Sequence, residues 1–123
     1  MNDIATNLNQ GWLDQINQLT SQLSERAAEH DRDAVFVRGN YDRLREIGVF
    51  GSLVPVALGG QGVSYATMAE GLRLIGRACS STGLALSMHQ HLLAAMVWKH
   101  QQGQGGEAIL RRVATEQPVL VST

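Results

Sequence analysis

The stretch Ser80–His100, SSTGLALSMHQHLLAAMVWKH, is the most apolar long segment of the chain and limits most what it can fold into. Leu84, Met88, Leu92, Ala95 and Met96 recur at three- and four-residue steps, the spacing of one helix face. Leu86, Leu93 and Val97 fall on other sides, and a helix that is apolar around most of its circumference is usually buried. The expectation is a central helix that the remaining helices cover. Thr82 can cap its start, and Lys99 and His100 suit the negative end of its dipole. The run is far short of the ~20 apolar residues that cross a bilayer, and Ser87, His89, Gln90 and His91 interrupt it, so no membrane span is expected.

The 123 residues suit one domain. Trp12, Ile16, Leu19, Leu23 and Ala27 form a single stripe, predicting a helix from Asn9 to about His30 with one buried face. Residues 31–39 read either as a continuation of that helix or as an irregular link. Asn40 is placed to cap a short helix, Tyr41–Ile47, with Leu44 and Ile47 inward and Gly48 free to take a positive φ at its end. Val49–Gly62, VFGSLVPVALGGQG, has no helical period and reads as a loop; its glycines suit turns, and neither GxGxxG nor a Gly-Lys-Ser/Thr sequence accompanies them. Ser64 caps the next helix, Tyr65 to about Cys79, whose stripe is Tyr65, Met68, Leu72, Ile75 and Cys79. Arg73 and Arg77 repel slightly on its outer side, which makes an acidic neighbour plausible. A turn over Gln101–Gly106 leads to a helix from Glu107 to about Thr115. Pro118 then stops helix, and Val119–Thr123 reads as a short terminal β-strand with nothing in the chain to pair with. The fold class is therefore all-α, a bundle of about five helices over residues 1–117, with residues 118–123 as the first strand of an absent domain.

Little chemistry is visible in the residues themselves. The net charge of -1 comes from scattered charges of both signs, without a basic patch for nucleic acid. Cys79 is the single cysteine, which excludes an internal disulfide and fits a core position rather than a nucleophile. The polar N-terminus lacks the pattern of a secretory signal, so a cytoplasmic setting is expected. His89 and His91 are two residues apart and point to nearly opposite sides of a helix, so no metal site is expected. No catalytic residue and no cofactor-binding residue can be named within the chain.

The order of segments is more specific. LREIGVFGSLVPVALGGQGVSY precedes a helix that ends ACSSTGLALSMH; a GxGGE turn, a helix ending RRVATEQP and a strand follow. This order resembles the N-terminal α-helical domain of the acyl-CoA dehydrogenase family, from about Gln10 to Thr123. The resemblance implies a larger oxidoreductase of fatty-acid-type metabolism, with a middle β-domain, a C-terminal four-helix domain and a homotetramer. In that arrangement FAD lies mainly between the other two domains, and the catalytic glutamate belongs to the C-terminal one. The fragment alone should then bind no FAD and be inactive. Its part is one wall of the acyl-CoA pocket, and alignment on the STG turn puts Ala85, Leu86, His89, Gln90 and Leu93 at the pocket-facing positions.

His89 departs from a wall that borders a fatty chain. A polar ring there implies a short, polar or non-acyl substrate, as for the flavin-dependent monooxygenases of the same superfamily; the plainer reading is a histidine hydrogen-bonded to a neighbour in the domain. A free-standing helical module that binds a partner through the central helix and terminal strand is a further alternative.

Overall fold

The computed structural model describes residues 2–25 and 38–120, with side chains from Leu8 in the first segment and Gly39 in the second. Five α-helices occur among the described residues: α1 (Asn2–Glu25), α2 (Arg38–Glu46), α3 (Tyr65–Ala78), α4 (Ser80–Gln101) and α5 (Glu107–Glu116). The all-α fold expected from the periodicities is the fold observed. α1 packs along α3, α3 along α4, and α5 closes one end against the loop that follows α2.

The stripe of α1 is buried as its spacing predicts, at Trp12, Ile16, Leu19 and Leu23. The helix begins at Asn2, seven residues before the expected start; Ala27 and His30 lie outside the described residues, as do positions 31–37. Ser64 caps α3 as expected, its hydroxyl accepting the Thr67 N–H at 3.1 Å. Gly48 takes φ +80 at the turn after α2, the conformation a glycine adopts without a Cβ penalty. Arg73 finds its acidic neighbour in Glu70, three residues before it.

Two expected caps are corrected. α2 begins at Arg38, so Asn40 lies inside it, buried, and its side-chain N–H donates to Thr82 Oγ1 at 2.9 Å. α4 begins at Ser80 after a single non-helical residue, Cys79, so Thr82 is also inside its helix. The Thr82 hydroxyl donates in turn to Cys79 Sγ at 3.2 Å. Both residues are cap formers by composition, but burial of the α2–α4 contact makes them partners of each other. The expected strand is absent from residues 118–120, which are irregular and half-buried against the core. Residues 121–123 of that expectation lie outside the described residues.

The loop 49–62 is more than a connection. It folds as two 3₁₀ turns, Val49–Gly51 and Val56–Leu58, and buries Val49, Phe50, Leu53, Val54 and Leu58. Ser52 fixes it to α1: Trp12 Nε1–H donates to Ser52 Oγ at 2.9 Å, and that hydroxyl lies 2.9 Å from the Gly48 carbonyl oxygen it donates to. Ser52→Ala would leave the buried indole N–H without a partner. We expect it to cost about 1–3 kcal/mol in urea-induced unfolding, with an unchanged m-value.

Candidate functional site

α4 has two different apolar faces. One, formed by Leu86, Leu93 and Val97 with Thr82, His89 and Gln90, is fully buried inside the domain. The other is the stripe recognised first in the sequence, and it faces outward: Leu84 is 76% exposed and Met88 59%, Ala95 is exposed, and Leu92 and Met96 are half-buried. The expectation that the remaining helices cover α4 holds for its inner face alone. The described residues cover one half of its circumference and leave the other open.

The five residues aligned to a pocket divide accordingly. Leu86, His89, Gln90 and Leu93 are in the domain core, and Ala85 is half-buried at the edge of the outward stripe. Gln90 donates from Nε2 to the Val49 carbonyl oxygen at 2.9 Å. His89 is held on both sides. Its Nε2 lies 2.7 Å from the Phe50 carbonyl oxygen, and its Nδ1 accepts the Leu120 backbone N–H at 3.0 Å. A carbonyl only accepts and an amide N–H only donates, so the geometry assigns the neutral tautomer with the proton on Nε2.

The ring of Phe50 is the centre of this region. It meets His89 edge-on, with centroids 5.0 Å apart at 76°, and Tyr41 at 5.6 Å and 71°. The Arg45 guanidinium carbon sits 5.0 Å from its centroid, within cation–π range. Sequence reading placed Phe50 in a loop and assigned it no role. The available signal was the density of apolar residues in that loop, five of which prove buried at spacings that fit no helix or strand face.

Burial holds the His89 imidazole below its ordinary value; the Phe50 carbonyl bond opposes that shift, and the Arg45 charge adds to it. In the unfolded chain the ring titrates at about 6.5, whereas in the folded domain it stays neutral to lower pH. Between those two values the unfolded state binds the extra proton, so stability is lost as the pH falls. We expect the melting temperature to fall as the pH drops below about 6.5, and His89→Asn to reduce that fall.

A hollow of about 720 Å³ lies between α1 and the glycine loop, is lined by Leu8, Trp12, Gln15, Val56 and Gln61 among others, and has no titratable side chain in its lining. No group of three or more metal-ligating side chains exists among the described residues, and no helix of the described chain is long and apolar enough to cross a membrane.

Comparison with known proteins places this geometry. Residues 13–117 match the family described as "Acyl-CoA dehydrogenase, N-terminal domain". The short-chain specific acyl-CoA dehydrogenase of Mus musculus is 32% identical over 63% of this chain and 19% of its own length. Cyclohex-1-ene-1-carbonyl-CoA dehydrogenase of Geobacter metallireducens is 30% identical over 84% of this chain and 27% of its own. The amino sugar nitrososynthase DnmZ of Streptomyces peucetius is 33% identical over 72% and 22%. A solved structure of KijD3 in complex with dTDP superposes with a TM-score of 0.81 at 32% identity, covering 91% of this chain and 30% of that one. The chain therefore spans less than a third of the length of each of these proteins.

Proposed function

Because the chain belongs to the acyl-CoA dehydrogenase family, as its N-terminal domain, we propose that it serves as the helical domain of an FAD-dependent oxidoreductase and supplies one wall of the substrate pocket. The observation that supports this most is the outward stripe of α4, on which Leu84 and Met88 are exposed one turn apart. Apolar surface of that kind marks a contact face. In this reading the wall runs along Leu84, Ala85 and Met88, while Leu86, His89, Gln90 and Leu93 support it from behind by holding α4 to the loop beneath. The other domains and further copies of the chain, in a tetramer, complete the pocket.

The described residues do not themselves fit a dinucleotide. The open glycines Gly103, Gly105 and Gly106 lead into α5, but Glu107 in its first turn repels a phosphate there, and Arg111 is paired with that carboxylate. FAD in this reading is held by the rest of the enzyme, where it would accept the two electrons removed from an acyl thioester. The catalytic base also lies outside this chain.

A second reading is favoured by the DnmZ and KijD3 likenesses: nitrogen oxidation on a nucleotide-linked amino sugar, with molecular oxygen as oxidant, on the same scaffold. The test is anaerobic addition of a panel of acyl-CoAs to the native polypeptide that carries this domain. Bleaching of the flavin's visible absorbance supports dehydrogenation. No bleaching, together with oxygen consumption that depends on both a dTDP-amino sugar and an added reductant of the flavin, supports the second reading. A native polypeptide without flavin overturns both.

A further inference from the structure

Residues 117–120 are held to the domain by an unusual set of contacts. Arg45 Nε donates to the Gln117 carbonyl oxygen at 3.1 Å, and Gln117 Nε2 donates back to the Arg45 carbonyl oxygen at 2.9 Å. Gln117 has φ +49, the one positive φ at a non-glycine residue among those described. It ends α5, its N–H donating to the Val113 carbonyl oxygen, in the left-handed conformation common at helix ends. Three residues on, the Leu120 N–H is bound by His89 Nδ1 from the middle of α4. The family match ends at residue 117, so both contacts grip the chain where the matched domain stops.

We propose that His89 is a positioning residue, whose ring ties the segment leaving the helical domain to the Phe50 loop and, with the Arg45–Gln117 pair, sets the direction in which the chain enters the rest of the enzyme. One ring does this because its two nitrogens play opposite parts, donor to Phe50 and acceptor from Leu120. The pair Arg45–Gln117 fixes the start of the segment against the end of α2, and His89 fixes its continuation against α4. The direction of exit is thereby referred to the same helix that carries the outward stripe. That last step rests on the function proposed above; the tie itself does not, and it can be measured in the 1–123 chain.

Two substitutions separate the halves of the ring. His89→Asn places its side-chain oxygen near the Nδ1 position and retains an acceptor for Leu120. His89→Gln places its amide N–H near Nε2 and retains the donor to Phe50, with no acceptor for Leu120. Amide hydrogen exchange followed by NMR should show the Leu120 N–H exchanging about tenfold faster in His89→Gln, with the Leu93 amide of α4 unchanged. In His89→Asn the Leu120 protection should stay within about twofold of wild type. Long-range ¹⁵N–¹H spectra of the wild type should report a neutral ring protonated on Nε2. A ring protonated on Nδ1, or equal Leu120 exchange in the wild type and both variants, would overturn the proposal. If His89→Gln fails to fold, the wild-type tautomer and the Asn variant still decide it.

Discussion

Phe50→Ala is expected to lower the unfolding free energy by about 3–5 kcal/mol, among the largest effects of any single substitution in the domain. The ring is fully buried and in contact with Tyr41, His89 and Arg45 together. Its removal leaves a cavity at the junction of α2, α4 and the 3₁₀ loop, where three separately anchored backbones cannot easily collapse into the space. It also removes the edge-on partner that orients His89, so the Phe50 carbonyl bond and the Leu120 bond both lose definition. Urea unfolding followed by circular dichroism would give the value. A loss below about 1 kcal/mol would mean that the loop packs independently of this ring.

The second large effect is expected at the α3–α4 crossing. A Cβ on Gly83 would sit 2.6 Å from Gly76 Cα and 3.0 Å from Gly76 N, so backbone meets backbone with no flexible side chain to give way. Gly83→Ala should therefore force the helices apart and cost about 2–3 kcal/mol, against the small gain in helix propensity. The partner glycine behaves differently. A Cβ on Gly76 meets nothing within 4 Å, so Gly76→Ala should be neutral or stabilising by up to about 1 kcal/mol. Measured melting temperatures of the two variants test this; a Gly76→Ala loss equal to that of Gly83→Ala would contradict the crossing geometry.

What was legible in the sequence was what period and composition report. The stripe of α1 from Trp12 to Leu23, the Ser64 cap, Gly48 at its turn and the core place of Cys79 all follow from local rules and all hold. The stripe of α4 was equally legible as a helix face, but period alone does not say which of two apolar faces turns inward. The inner face contains His89, Gln90 and Thr82, and their polarity hid its burial. His89, Thr82 and the Gln90 amide N–H each pair with a segment roughly 30 to 40 residues away in sequence, a relation no local pattern carries. The same holds for Asn40, whose partner Thr82 is 42 residues distant. The Arg45–Gln117 pair spans 72 residues and left no trace in composition or spacing.

In the function proposed above, α4 turns one apolar face to its own domain and the other to the rest of a larger enzyme. Methionine oxidation by brief hydroxyl-radical exposure reads this directly. Met88 is exposed on the outward stripe, whereas Met68 is buried between α3 and its neighbours and serves as the internal reference. In the isolated 1–123 chain Met88 should oxidise much faster than Met68. In the native polypeptide that carries this domain, Met88 should fall to the rate of Met68. Equal Met88 oxidation in the isolated chain and the native polypeptide would contradict the claim, because the outward stripe would then be open surface in the enzyme as well.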